Sequence, residues 1–430
     1  MLSENGTFAA RTKRVQLPNG VTLLVYENHA TPTVQITLAL RAGHFLDPQD
    51  KRGLAQICAA MLRRGTQRCD KLEIAQRLED VGAELDLYAN RFLVRGHGQA
   101  LSQDTSRLLS TLCEILREPS FPEHELEKLR QQVVGHLKRQ QEQTAIRAFE
   151  RFLQLIYEPK SPFYQPPVEE QIAAIESLTV EDIHQFYEQY YGAAALVLVI
   201  VGDVDSKAIE EQVADLFADW SPGEPAQISI ERTRPHGVSR REFVPMVDKA
   251  NADIVMGHAG QLRRTDPGYY AAYIANAALG HSTLSSRLGL RVRDQEGLTY
   301  GIASRFIEAG FGDGPWAVSL TVNPENVDQA LDSTQDVIKS YVEEGITEKE
   351  LEDEKSSFIG SFIVGLDTNA GLASHLLSAE VFGFGPKHLD ELPSLVATVT
   401  QDQVNAAIQR YIQPRSFVTV IAGEYHPAES

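Results

Sequence analysis

An arginine and a tyrosine in the second half of the chain carry hydrogen-bond donors that could bind a peptide. Arg293 and Tyr300 lie seven positions apart, with Leu298 between them. A guanidinium presents donors in a fixed geometry to a peptide carbonyl or carboxylate, and a phenol can donate a hydrogen bond to the oxyanion that forms when water attacks. The pair alone is unspecific. An arginine paired with Asp294 or Glu296 at a helix end, followed by a tyrosine packed at a strand start, would show the same spacing.

A second stretch, residues 53–66, predicts a helix with one face that lacks metal-binding side chains. Apolar residues recur at the spacing i, i+3, i+4, i+7, i+8, and a glycine stands at each end. The opposite face carries Gln56, Ala59 and Ala60. A neutral amide is a poor zinc ligand and alanine offers no lone pair, so this face predicts no metal site.

The frame Gly-Leu-Ala-x-x-x-x-x-Met-Leu-x-x-Gly-Thr of this helix resembles the active-site helix of the pitrilysin/insulinase peptidases, the inverzincins. In active members the helix carries His-x-x-Glu-His, in which two histidines one turn apart bind zinc and the glutamate activates the water. Gln56, Ala59 and Ala60 stand where the first histidine, the glutamate and the second histidine belong. The resemblance therefore implies a peptidase fold that has lost its own zinc site.

The family's third ligand is a glutamate on a later helix, and the resemblance places His136 at that position, about seventy-six residues after Ala60. A single histidine without its partners cannot make a three-ligand zinc site. Its neighbours Val133 and Leu137 favour a structural histidine at the edge of an apolar stripe. The other histidines show no i, i+4 pairing and no cysteine companion. We expect no metal and no cofactor in this chain.

Residues 276–300 resemble the second-domain signature of the same family, a glycine-containing loop followed by Ser-Arg-Leu and then Arg-x-x-x-x-Leu-x-Tyr. In active members this arginine and this tyrosine face the zinc from the other domain or subunit, bind the substrate backbone and help stabilise the tetrahedral intermediate. The resemblance assigns these catalytic roles to Arg293 and Tyr300. It also implies substrate contacts from the loop at Gly280, Ser285 and Ser286.

The elements that must position both stretches are repeated along the chain. Residues 178–203 match residues 399–424 at a constant offset of 221, and residues 121–127 match residues 346–352 at an offset of 225. Each half starts with strand patterns, such as a hairpin around an Asn-Gly turn in residues 15–26, and continues with helices. The repeat predicts an α+β protein of two homologous domains, each an antiparallel or mixed sheet packed with helices.

A chain of 430 residues is long enough for two cores. We expect an N-terminal domain with the degenerate zinc site at residues 1–220, a Pro- and Gly-rich linker at 221–240, and a homologous domain with the Arg/Tyr pair at 241–430.

Charge and composition argue against some classes of binding partner. The net charge of −19 argues against nucleic acid or an anionic membrane surface. The sequence contains no apolar run long enough to span a bilayer, and residues 1–15 contain no apolar signal-peptide core. We expect a cytoplasmic protein, or a periplasmic one if a signal peptide was removed.

Two functions of different classes follow from the resemblance. The first is the non-zinc subunit of a heteromeric metallopeptidase, inactive alone, which supplies Arg293 and Tyr300 in trans for peptide hydrolysis. Its partner would be a homologous subunit with His-x-x-Glu-His and the zinc, in a heterodimer or a dimer of heterodimers. The alternative is a catalytically silent structural or peptide-binding relative. A homodimeric peptide-binding chamber is a third possibility.

Overall fold

The computed structural model describes residues 6–233 and 239–425 of the chain. Contacts within this part divide it into two units. Unit 1 comprises the residues up to 135 together with 169–229 and 361–393. Unit 2 comprises 136–168, 230–360 and the residues from 394 onward.

Eleven strands are found in the described residues: β1 Thr12–Gln16, β2 Thr22–Glu27, β3 Thr33–Leu40, β4 Glu84–Ala89, β5 Val94–Leu101, β6 Leu196–Gly202, β7 Arg240–Pro245, β8 Ala252–His258, β9 Thr299–Phe306, β10 Trp316–Val322 and β11 Val418–Gly423. The described α-helices are α1 Phe8–Arg11, α2 Leu54–Met61, α3 Lys71–Glu79, α4 Thr105–Arg117, α5 Glu123–Gln140, α6 Thr144–Ile156, α7 Val168–Ser177, α8 Val180–Tyr190, α9 Ser206–Phe217, α10 Tyr269–Asn276, α11 Val327–Glu344, α12 Glu348–Leu366, α13 Asn369–Val381, α14 Lys387–Ala397 and α15 Gln401–Tyr411.

Each unit is built on one mixed sheet. The five strands of unit 2 have the same order as five of the six strands of unit 1, in which β1 is an additional edge strand. The order is β1-β2-β6-β3-β5-β4 in unit 1 and β7-β11-β8-β10-β9 in unit 2. In each sheet one pair is parallel, β2 with β6 and β7 with β11, and the other pairs are antiparallel. The predicted α+β class, with two homologous sheets packed with helices, is confirmed.

The repeat at an offset of 221 is visible in the elements themselves. Helix α8 and strand β6 correspond to helix α15 and strand β11. Both helices begin with a capping box, in which Thr179 and Asp182 exchange side-chain and backbone hydrogen bonds in α8 and Thr400 and Gln403 do so in α15. The same local chemistry therefore starts the same helix twice.

Two further helices correspond at the offset of 225, and each belongs to the unit built mainly from the other half of the sequence. Helix α6, from the first half, packs on β8 and β11 in unit 2. Helix α13, from the second half, packs on β3 and β6 in unit 1. Each sheet is thus completed by a helix from a distant part of the chain.

The domain boundaries predicted from the sequence repeat, 1–220 and 241–430 with a linker at 221–240, stay a prediction. Residues 234–238 of the expected linker lie outside the described residues. No helix within 6–233 and 239–425 combines the length and the apolarity that crossing a bilayer requires.

Candidate functional site

Helix α2 is anchored at its N-terminus by an aspartate six residues upstream. The carboxylate of Asp47 accepts hydrogen bonds from the backbone N–H groups of Gly53 and Ala55, both at 2.8 Å. Gly53 has φ +95°, and a Cβ at this position would lie 2.5 Å from Ile175 Cδ1. Glycine is therefore needed here both for its backbone conformation and for space. The sequence reasoning missed Asp47, because nothing in its neighbourhood shows that its side chain turns back onto the helix.

The three degenerate metal-site positions on α2 have different environments. Gln56 is exposed, Ala59 is fully buried and Ala60 is half-buried. The two alanines present only methyl groups, so the zinc ion that the resemblance implies for active members does not fit the residues of this helix. Among residues 6–233 and 239–425, no group of three or more His, Cys, Asp or Glu side chains is arranged to hold a metal.

His136 lies on an exposed face of α5. Its Nε2 is 2.9 Å from the side-chain amide nitrogen of Gln140, one turn later on the same helix. Val133 and Leu137 beside it are half-buried. These contacts are those of a polar surface side chain with a local hydrogen-bond partner.

The loop that precedes Arg293 lies between Ala277–His281, a segment kinked at Gly280, and a π-helical turn at Gly289–Gln295. Turns of this type are rare and are frequent at functional sites. Gly280 is buried, and a Cβ there would lie 2.4 Å from Ser304 Oγ. Ser286 is 1% exposed and donates to the carbonyl of Ser282. Of the three predicted substrate-contact positions only Ser285 is exposed, and the packing gives Gly280 and Ser286 a supporting role in this conformation.

The neighbouring Ser-Arg-Leu arginine is an anchor for the same loop. Arg287 donates to both carboxylate oxygens of Glu350, at 2.6 and 2.7 Å, and to the carbonyl of Gly345 at 3.1 Å. Burial alone would raise the pKa of Glu350, but hydrogen bonds from Arg287 and Thr347 outweigh it and lower that pKa. The bidentate pair fixes the loop to the start of α12.

The side chain of Arg293 has no partner among the described residues. It lies half-buried in the π-helical turn, and within the described residues its guanidinium makes no hydrogen bond or ion pair. The expected alternative, pairing with Asp294 or Glu296, is not observed. Glu296 instead binds Arg291 at 2.6 Å and accepts from Ser333 Oγ at 2.5 Å. The donors of Arg293 are therefore available to a ligand.

Tyr300 is 98% exposed. It is the second residue of β9, one of the two edge strands of the unit 2 sheet. The register of β9 against β10 shifts between Leu320 and Val322, so that Tyr300 and Gly301 together oppose Thr321. Such a bulge redirects a side chain and is common at sheet edges and beside active sites. The alternative expectation of a packed tyrosine is wrong.

Thr299 holds this bulge in place and was missed by the sequence reasoning. Its Oγ1 donates to the carbonyl of Thr321 at 2.7 Å and accepts from the backbone N–H of Gly301 at 3.1 Å. The buried Leu298, just before it, donates its N–H to the carbonyl of Val292 at 3.0 Å. The segment between Arg293 and Tyr300 is therefore fixed by hydrogen bonds of its backbone and of Thr299.

Comparison with known families gives two matches that together cover most of the chain. Residues 23–161 match the model described as insulinase (peptidase family M16), and residues 177–358 match the model described as the peptidase M16 inactive domain. Arg293 and Tyr300 fall within the second match, and α2 falls within the first.

Relatives and solved structures agree with these matches. The chain is 22% identical to an uncharacterised zinc protease of Streptomyces coelicolor, over 95% of this chain and 89% of the relative. It is 24% identical to the non-peptidase homolog YmxG of Helicobacter pylori, over 79% and 77% respectively. A probable mitochondrial-processing peptidase subunit beta of Arabidopsis thaliana is 23% identical, over 63% of this chain and 51% of the relative. The crystal structure of a peptidase M16 inactive domain from Pseudomonas fluorescens superposes with a TM-score of 0.88 at 25% identity, covering 97% of this chain and 99% of the other.

Proposed function

Because this chain belongs to the insulinase peptidase family, family M16, we propose that it is the non-zinc subunit of a heteromeric metallopeptidase. In this role it supplies Arg293 and Tyr300 in trans to a homologous partner that carries His-x-x-Glu-His and zinc. The pair binds the peptide backbone and stabilises the oxyanion of the attacked peptide bond. Neither subunit alone hydrolyses peptides.

The observation that carries the proposal is the contrast between the two sites. The metal-site positions of α2 have no ligand atoms beyond the amide of Gln56. Arg293 has no counter-ion among the described residues, and Tyr300 exposes nearly its whole side chain. A large aromatic side chain in water and an unpaired guanidinium contribute little to folding, so their presence on a fixed bulge and turn favours a role in binding.

The chemistry assigned to the two residues follows from their donors. The Arg293 guanidinium can donate two parallel N–H bonds to a peptide carbonyl or carboxylate. The Tyr300 hydroxyl can donate one bond to the oxygen on which negative charge develops. Removing one donor of this kind typically lowers kcat by about 100- to 1,000-fold.

The test is reconstitution with the His-x-x-Glu-His protein from the same source. We expect zinc-dependent peptide hydrolysis only in the mixture, and we expect kcat to fall about 100-fold or more with Tyr300→Phe and with Arg293→Ala. Tyr88→Phe, a half-exposed tyrosine of unit 1, and Arg291→Ala, which pairs with Glu296, are the matched controls. Size-exclusion chromatography of each mixture shows whether assembly is kept.

Two outcomes would contradict the proposal. Zinc binding and turnover by this chain alone would mean that the assignment of Gln56, Ala59, Ala60 and His136 is wrong. Full turnover of the Arg293 and Tyr300 variants in an active mixture would leave the chain a structural role only.

A second candidate, a catalytically silent structural or peptide-binding relative, is favoured by one observation. A relative with 24% identity is named a non-peptidase homolog. That candidate predicts peptide binding or assembly without any effect of Tyr300→Phe on hydrolysis, so the same experiment separates the two.

A further inference from the structure

A cavity of about 280 Å³ lies in unit 1 next to the position where active relatives would have their second metal-binding histidine. Ala60 forms part of its wall, because its methyl group leaves open the space that a longer side chain would occupy. Helix α3 forms another wall. The cavity is formed by residues of this unit alone.

Three cations line this cavity: Arg63, Arg64 and Lys71. Two carboxylates face them. Arg63 pairs with Asp86, and Glu125 accepts from Arg64 at 3.0 Å and lies 3.8 Å from Lys71. The cations therefore outnumber the carboxylates.

A further cation reduces the negative charge near the cavity. Lys128 binds the other oxygen of Glu125 at 2.6 Å. That hydrogen bond, with the one from Arg64, holds the pKa of Glu125 below its ordinary value, so the carboxylate is ionised and already occupied. Lys71 is 46% exposed and has only the long contact to Glu125 among the described residues. It is the cation most able to turn to a ligand.

The rest of the lining is apolar. Ile74, Leu78 and Leu87 face the same space as the three cations. Ile74 and Leu78 are almost fully buried on the inner face of α3. At about 280 Å³ the cavity is just below the roughly 300–1,000 Å³ of small-molecule sites, so it can hold a group about the size of one residue.

The ligand that matches this lining has a negative charge next to an apolar body. In a chain with a net charge of −19, most of the surface repels anions, so a local excess of cations beside an apolar wall is selective for this class of group. Bidentate guanidinium donors match the geometry of a carboxylate.

We propose that this cavity binds the carboxylate of a peptide, together with an apolar side chain next to it, and so selects peptides by charge. The inference rests on the proposed function in one respect, namely that the ligand is a peptide. The carboxylate can come from the C-terminus of the peptide or from an acidic side chain, and the cavity offers the same chemistry to both.

The test measures binding to the purified full chain, without a partner, by fluorescence anisotropy. Three dye-labelled hexapeptides are compared: one ending in a free leucine carboxylate, the same peptide amidated, and an amidated peptide with an internal Glu-Leu pair. We expect one or both of the carboxylate-bearing peptides to bind about tenfold or more tightly than the amidated peptide without a charge. Their affinity falls as salt is raised, because the contacts are charged. Preference for the free end alone identifies the C-terminus, and binding of the Glu-Leu peptide alone identifies the acidic side chain.

Variants place the binding in this cavity. Lys71→Gln and Arg63→Gln remove charge where the pairing is most exposed, and Ala75→Phe fills the space without changing charge. Each should weaken the carboxylate-bearing peptide about tenfold. The matched control is Arg68→Gln, which removes a nearby surface cation that pairs with Glu118 and does not line the cavity.

Equal binding of the acid and amide peptides, or unchanged binding in the Lys71, Arg63 and Ala75 variants, would overturn the proposal. If the purified chain prefers carboxylate-bearing peptides but the reconstituted mixture shows no turnover, only the proposed subunit role is contradicted. If the mixture hydrolyses peptides but the chain shows no carboxylate preference, only the cavity proposal is contradicted.

Discussion

At the level of single residues, Tyr300 can be changed without disturbing packing. A tyrosine that is 98% exposed buries almost no apolar area, so its replacement by phenylalanine leaves the core intact. Substitutions at exposed positions usually change stability by less than about 0.5 kcal/mol. Any loss of turnover in Tyr300→Phe can therefore be assigned to chemistry and not to unfolding.

His258 is the opposite kind of residue, a histidine held neutral inside unit 2. It is 2% exposed and packs against the rings of Trp316 and Phe417, with centroids 5.6 and 5.9 Å away. Its Nδ1 is 2.9 Å from the carbonyl of Ala259, and its Nε2 accepts from the N–H of Gln413 at 3.2 Å. This arrangement requires the proton on Nδ1. Burial lowers the pKa of His258 from 6.5 to about 4.

This lowered pKa predicts a loss of stability in acid. Between pH 6.5 and about 4 the unfolded chain binds a proton at this residue that the folded chain does not. The contribution is complete above pH 6.5 and is lost as the pH falls towards 4, by about 3 kcal/mol over that window. Urea unfolding of wild type and His258→Phe at several pH values measures it. The variant should show a shallower pH dependence than wild type over this window.

At the level of elements, the helix that has no metal ligands is still precisely held. Asp47 is 3% exposed at its side chain and satisfies two backbone N–H groups at the start of α2. These groups have no partner within the helix. The anchor keeps α2, and with it Arg63 and Arg64, in position.

We predict that Asp47→Ala lowers the free energy of unfolding by about 1–2 kcal/mol, the range for loss of a helix cap. Chemical denaturation measures the change. Asp50→Ala, three residues later and exposed, is the matched control and should stay within about 0.5 kcal/mol of wild type. An equal loss in both variants would mean that the hydrogen bonds to Gly53 and Ala55 contribute nothing.

The sequence predicted those elements whose signals are local. The Asn-Gly turn gives the β1–β2 hairpin, with Gly20 at φ +100°, and the apolar spacing gives α2. The Asp47 anchor, the bulge at Tyr300 and the ion pair of Arg287 with Glu350 depend on groups distant in sequence or on strand register, which spacing does not encode. The unpaired state of Arg293 could not be predicted either, because Asp294 and Glu296 were plausible partners.

At the level of the whole molecule, neither half of the sequence contains a complete unit. Leu372, Leu376 and Leu377 of α13 are buried in unit 1, although the strands of that unit all come from the first half. Fully burying each such side chain contributes about 1.5–3 kcal/mol. A fragment without α13 therefore loses a large part of the usual 5–15 kcal/mol of a domain.

We predict that residues 1–229 produced alone do not fold cooperatively. The control is the same fragment co-produced with residues 239–430, which restores α13 while keeping the break in the chain. Only the co-produced pair should show a sharp thermal transition and a single species in size-exclusion chromatography. A sharp transition of the fragment alone would show that α13 is dispensable.

The placement of α13 also determines how long unit 1 stays incomplete during synthesis of the chain. The last strand of the unit 1 sheet ends at Gly202, but the helix that completes this unit ends only at Val381. At translation rates of about 5–20 residues per second, the ribosome needs roughly ten to thirty-five seconds to make the intervening stretch. During that interval an apolar surface of the sheet stays exposed. The nascent chain then depends on chaperones or on its own charge to avoid aggregation with other chains on the polysome.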